Sequence, residues 1–251
     1  YESLGSCGSP MLPPWLAGVE SYEEWLVAGQ RFLNSLFDEA EKYGMHTSLG
    51  FQPFEFTAGV DLGTDNSLSL SDGKNYTVGE DWQPLAFSKT GHIASVGIVF
   101  AGYGVAARKD GEHEEYDSFV HLDVKDKWIL AFRFMPENIT AEQRQHLSRH
   151  SSLRFKAMVA RDRGAKGLIV VSGPNSKVKN QLVKLQFDGS LSGASVPVIS
   201  VTDEIAQGWL AKVDKDLGEL QTSLDSGEPR MGFVIEGVEL AARIDIQKVK
   251  Q

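Results

Sequence analysis

The run Trp128–Phe134 (WILAFRF) constrains the fold more than any other stretch of the chain. Six of its seven residues are apolar, without polar alternation, which is the pattern of a strand buried on both faces. Cap and stop residues downstream of it fix the next elements. Thr140, with Gln143 three residues on, opens a polar helix to Arg149, and Ser151 or Ser152 caps a second helix. That helix repeats apolar positions at Leu153, Ala157, Val159 and Ala160 until Gly164. Gly167–Val171 (GLIVV) and Val196–Val201 (VPVISV) read as further strands, and Thr202, Asp203 and Glu204 start a helix to about Val213. Strand 128–134, helix 152–163, strands 167–171 and 196–201 and helix 203–213 together predict a βαββα core.

Antiparallel strands are expected on both sides of this core. Phe51–Thr57, Ser67–Leu70 and Tyr76–Val78 read as short strands, separated by the turn sequences LGTDN and SDGKN. Val96–Tyr103 reads as a stronger strand, and Gly232–Gln247 as two strands hinged at Gly237. Ahead of them, the Pro/Gly-rich Gly8–Gly18 cannot hold regular structure for long. Residues 21–43 repeat apolar side chains at helical spacing (Trp25, Phe32, Leu33, Leu36, Phe37), with Ser21 as cap and Gly44 as stop. The expected organisation is a helical lead-in over 1–48 and an α+β domain over 49–251.

Composition narrows the function classes. The chain has 251 residues, 41% hydrophobic, with 25 Lys+Arg against 34 Asp+Glu and a net charge of −9. Such an acidic balance argues against a nucleic-acid binder, and no apolar run reaches the roughly 20 residues of a membrane span. The single cysteine, Cys7, excludes an intrachain disulfide and a Cys-rich zinc module. Leu4–Cys7 (LGSC) loosely resembles a lipoprotein cleavage box without the preceding apolar segment.

Several patterns suggest chemistry that the surrounding residues do not support. Gly102–Ala107 (GYGVAA) spells the dinucleotide fingerprint, but the polar, glycine-broken ARKDGEHEEYD after it cannot be the helix that cradles a pyrophosphate. It reads as a strand leaving through a glycine turn. His121-Leu122-Asp123 has the H-x-D spacing of a metal site but lacks the further ligands of a two-metal centre. His146 and His150 share a helix face, yet Leu147 stands where H-E-x-x-H has its base, so an exposed polar face is expected. Glu112, Glu114, Glu115 and Asp117 around His113 read as a solvated loop without calcium-loop spacing. Gly189–Gly193 (GSLSG) has Leu191 where a nucleophile elbow needs serine. No catalytic residue and no metal ligand emerges. From Arg144 to Lys166 seven bases accompany one acid, a local patch that can attract an anionic partner. Arg133 is the odd charge in its apolar strand, so it must be paired or point into a groove. Arg133 and Tyr103 are the binding candidates.

The segments FQPF (Phe51–Phe54), FAGYG (Phe100–Gly104), EYDSF (Glu115–Phe119), LDVKDKWILAFR (Leu122–Arg133), SLRFKAMVARDRGAKGLIVV (Ser152–Val171) and VPVISVTDEIA (Val196–Ala206) resemble, in order, a protease-associated (PA) domain. They are similar to the PA domain inserted in secreted bacterial di-zinc aminopeptidases, relatives of glutamate carboxypeptidase and the transferrin receptor. The resemblance implies a β-sandwich or open barrel with the βαββα core and flanking helices, preceded by the amphipathic helix. It implies a lid or binding domain that is not catalytic by itself, with zinc expected only in a catalytic domain whose ligands have no counterparts here. Implied partners are a peptide or protein substrate or that catalytic domain, in a secreted or periplasmic protein whose signal peptide lies outside this chain. The alternative is a free-standing peptide- or protein-interaction PA module.

Overall fold

The computed structural model describes residues 22–44, 57–111, 113–190 and 193–250. Contacts divide the chain into residues 1–54 and 55–251. In the first unit, helix α1 (Tyr22–Lys42) carries Glu23 and Glu24 in its first turn and Lys42 in its last, which suits the helix dipole at both ends. The expected cap Ser21, the segments Gly8–Gly18 and Phe51–Phe54, Cys7, Glu112 and Leu191 lie outside the described residues.

The second unit is a mixed α+β domain. Its strands are β1 (Thr57–Leu62), β2 (Ser67–Leu70), β3 (Asn75–Tyr76), β4 (Trp82–Pro84), β5 (Gly91–Phe100), β6 (Ala106–Ala107), β7 (Tyr116–Asp117), β8 (Trp128–Phe132), β9 (Gly167–Val171), β10 (Val198–Val201), β11 (Phe233–Ile244) and β12 (Ile246–Lys250). Its helices are α2 (Ala141–Ser148), α3 (Leu153–Asp162), α4 (Asp203–Leu210), continued by a 3-10 turn over Ala211–Val213, and α5 (Leu217–Leu224). Eight strands form one sheet in the order β3-β2-β11-β5-β8-β9-β10-β4. β8, β9 and β10 run parallel, with α3 crossing from β8 to β9 and α4 following β10, so the expected βαββα core is present.

The two edges of this sheet are neighbours in sequence, and that decides its shape. A flat eight-stranded sheet would hold its outer strands about 33 Å apart. The five residues between Tyr76 and Trp82 reach about 20 Å at most. The sheet must therefore curl until the edges approach. Val78 bridges to Trp82, and the Trp82 indole N–H donates to the Tyr76 carbonyl (3.3 Å). An open barrel results, built from one curled sheet and not from two stacked ones.

Curling explains why β8 reads as continuously apolar. Trp128, Leu130 and Phe132 join the core inside the curl with Ile98, Ile169, Ile199 and Leu240, which α4 and α5 seal with Trp209, Leu210 and Leu224. Ile129 and Ala131 face outward under Ala157 and Ala160 of α3. The capping residues act as their sequence suggests: Thr140 and Gln143 form a reciprocal capping box on α2, while Ser152 and Thr202 cap α3 and α4.

Several elements differ from expectation: β1 runs from Thr57 to Leu62, β5 spans Gly91–Phe100 instead of Val96–Tyr103, and the short β6 and β7 were not expected. β11 does not break at Gly237; that residue (φ +72°) sits in a bulge that shifts the β5 register between Ile235 and Glu239, and the strand changes partner only at Asp245. The left-handed conformation there favours glycine. Helix α5 was not expected, although Asp216 accepts from the Glu219 N–H (2.9 Å) as a cap. β4 was not expected either; its Pro84 is tolerated since β4 is an edge of the sheet, whose one strand neighbour there is β10.

Candidate functional site

The end of β8 and the chain beyond it rest on two buried polar groups. Lys156 of α3 is 1% exposed, and its ammonium donates to the carbonyls of Phe132 (2.7 Å), Arg133 (3.2 Å) and Phe134 (2.6 Å). All three of its N–H donors are thus used without a carboxylate partner. Burial pushes Lys156 down to about 7, while the three carbonyl acceptors favour its charged form. Tyr103 is fully buried and donates its hydroxyl to the buried carboxylate of Asp225, with its ring against Phe132. Burial and then the Asp225 contact hold its phenol far above the ordinary value. Asp225 also accepts from the Glu137 N–H (3.2 Å) and from the Asn175 amide (3.5 Å), and no cation pairs with it among the described residues.

These two residues hold the 132–137 segment that presents Arg133. Its backbone N–H donates to the Val171 carbonyl (2.8 Å), its side chain is half-buried, and its guanidinium lies 5.1 Å from the Phe134 ring centre. Arg133 makes no ion pair among the described residues. Tyr103 lies beneath the segment, enclosed, and Arg133 lies at its surface.

Beside this segment is a cleft of about 320 Å³ lined by His113, Glu115, Tyr116, Ile139, Gln143, His146, Leu147, Glu228 and their neighbours. One wall is α2, which turns His146 and Leu147 inward. The opposite wall is the hairpin joining β6 to β7, closed by reciprocal backbone bonds between Asp110 and His113. The His113 ring stacks on His146 at 4.8 Å and 17°, and His146 meets His150 edge-on at 5.7 Å. His146 is therefore buried and not on the exposed polar face its spacing suggests, because the β6–β7 hairpin covers α2. Burial, then His146 and Arg149, lowers His150; burial raises Tyr116.

The other sequence candidates take structural places. GYGVAA passes from β5 through Gly102 and Gly104 into β6, with no helix after it. His121 sits in a turn with φ +57°, and the Asp123 carboxylate accepts from Lys127 Nζ (3.0 Å) and the Lys125 N–H (3.1 Å). Six of the seven bases in the stretch 144–166 are engaged within the chain. Arg154 pairs with Asp188, Arg161 with Asp162, Arg163 with Asp117 and Lys166 with Asp126, Arg144 donates to the Glu137 carbonyl, and Lys156 is interior. Sequence reasoning missed Lys156, Asp225, Tyr116 and Glu228. None carries a local signature, since each acquires its meaning from partners distant in sequence.

No protein-family model matches the chain, and no curated protein matches it. Among solved structures it is similar to an aminopeptidase from Aneurinibacillus sp. strain AM-1 (TM-score 0.41, 16% identity, 89% of this chain and 40% of that one). It is also similar to BSAP, a zinc aminopeptidase from Bacillus subtilis (TM-score 0.41, 17% identity, 89% and 40%). The chain thus spans 40% of the length of these structures.

Proposed function

We propose that residues 55–251 form a PA-type lid or binding domain of a zinc-dependent aminopeptidase-like protein, not catalytic by itself. The observation that carries the reading is the pairing of its first and last strands. β1 and β12 run antiparallel outside the eight-stranded sheet, with Thr57 opposite Lys250 and Leu62 opposite Ile246. A unit whose incoming and outgoing strands lie side by side can be set into another domain without separating that domain's parts. Of the PA-like segments, Leu122–Arg133 contains β8, Ser152–Val171 contains α3 and β9, and Val196–Ala206 contains β10 and the start of α4.

In this reading zinc belongs to the catalytic domain and not to this chain. The contact surface includes Arg133, whose charge is held at the surface by the Lys156 clamp, while Tyr103 positions the segment from below. Partners are a peptide or protein substrate or the catalytic domain, in a secreted or periplasmic setting. The test is hydrolysis of amino-acid p-nitroanilides by the purified 251-residue chain with added zinc. No turnover above buffer is expected; zinc-dependent turnover would overturn the proposal.

A further inference from the structure

The cleft between α2 and the β6–β7 hairpin has a polarity that points to a ligand class. Its wall contains Glu114, Glu115 and Glu228 and no lysine or arginine. Glu114 is engaged by Lys109 (2.8 Å), but the Glu115 and Glu228 carboxylates have no partner among the described residues. Acidic side chains at a surface alone say little; the floor says more. Tyr116 is 4% exposed and His146 is 5% exposed, both line the cleft, and His146 Nε2 is a buried polar atom without a hydrogen-bond partner among the described residues, while the Tyr116 hydroxyl has Ser118 beside it. An unsatisfied buried polar atom costs about 1–3 kcal/mol, so its place at the floor of this cleft marks where an outside group completes the bonding.

Charge behind the floor has the same sign. Asp225 lies close enough to Tyr116 and Tyr103 to raise both phenols, and no cation neutralises it among the described residues. Of the nearby cations, Lys109 is engaged by the cleft's own Glu114, while Arg144 donates to the Glu137 carbonyl at 2.6 Å and Arg230 to the Ser223 carbonyl at 3.4 Å. Ile139 and Leu147 give the cleft an aliphatic side. At about 320 Å³ the space is at the small end of ligand pockets.

We propose that this cleft binds a single organic cation, an ammonium or guanidinium on a short apolar stem, as a basic side chain or an amino terminus of a peptide presents. The cationic head meets Glu115 and Glu228 at the mouth and donates to His146 Nε2 at the floor, and the stem lies against Ile139 and Leu147. The proposal does not depend on the lid reading, because the cleft is built entirely within the domain.

Titration of the full chain by calorimetry and by NMR of the histidine imidazoles tests it with four probes: N-acetyl-lysine methylamide, N-acetyl-arginine methylamide, the neutral N-acetyl-norleucine methylamide, which keeps the four-carbon lysine stem and lacks the ammonium, and Ala-Ala amide with a free amino terminus. We expect saturable binding of at least one cationic probe, with shifts at His113 and His146, and at least tenfold weaker binding of norleucine. Which cation binds tells side chain from amino terminus. The Glu115→Gln/Glu228→Gln variant, at two surface positions, should bind at least tenfold more weakly. Norleucine binding as tightly as lysine, no binding of any probe up to about 10 mM, beyond the range of weak specific association, or binding that the double variant leaves unchanged would overturn it. The lysine–norleucine comparison on the unmodified chain decides the matter even if the variant fails to fold.

Discussion

Replacing Tyr103 by Phe removes one oxygen from the interior without opening a cavity, which makes its cost calculable from a single contact. The lost bond runs from a fully buried phenol to a buried carboxylate, leaving Asp225 with the Glu137 N–H and the longer Asn175 contact. A hydrogen bond to a charged group contributes about 1.5–3 kcal/mol, and burial brings Y103F to the upper half of that range because water cannot replace the donor. For a unit spanning residues 55–251, unfolding entropy is about 0.4 kcal/mol/K, so the melting temperature should fall by about 5–7 °C. Calorimetry of wild type, Y103F, D225N and the double variant forms a cycle. Tyr103→Phe should cost less than about 0.5 kcal/mol once Asp225 is already Asn, because the charge the hydroxyl serves is gone. A melting shift below about 1 °C, or equal losses in both backgrounds, would refute the assignment of Tyr103 as the donor that keeps Asp225 buried.

The same interior sets three further outcomes. Gly104 has φ +62°, and a Cβ there would stand 2.9 Å from the Ala131 Cβ, so Gly104→Ala should lose about 2–4 kcal/mol in urea denaturation from backbone strain and overpacking. Between about 7 and the ordinary lysine value of 10.5 the folded chain has released the Lys156 proton while the unfolded chain keeps it. The unfolded state then binds more protons, so stability rises with pH through that window, at up to about 1.4 kcal/mol per pH unit. Lys156→Met should flatten the rise measured by denaturation at about pH 7 and about pH 9.5, and parallel behaviour of the two proteins would contradict a buried titrating ammonium. Thr140→Ala removes one side of the α2 capping box (Gln143 N–H to Thr140 Oγ1, 3.2 Å) and should cost about 1 kcal/mol, with faster amide exchange along α2, the wall that carries His146.

Much of the architecture was legible because local rules and tertiary demands agree. The unbroken apolar runs of β8 and β9, the capping serine and threonines of α2, α3 and α4, and the glycine turn after β5 all sit where the pattern placed them. Where reading failed, a local rule was overridden from afar. The three-residue β4 has no periodicity of its own to read and exists because β10 supplies the pairing. Gly237 suggested a hinge where β5 holds the strand together through a bulge. Helix α5 was not read from the sequence at all, in a stretch whose apolar residues matter because Leu217 and Leu224 plug the curled sheet.

The candidate site was the least legible part. Lys156 looks like one of seven bases in a polar region and turns out to be the most buried of them. His113 and His146 lie 33 positions apart and meet as stacked rings only because the β6–β7 hairpin folds over α2. By itself the sequence determined the order and type of the core elements, since the hydrophobic periodicity and cap chemistry of one segment need only that segment. The tertiary structure alone decided how the sheet closes, which charges are buried, and which polar atom is left without a partner in the cleft. Those properties are relations between residues distant along the chain, settled when a five-residue connection drew the two edges of an eight-stranded sheet together.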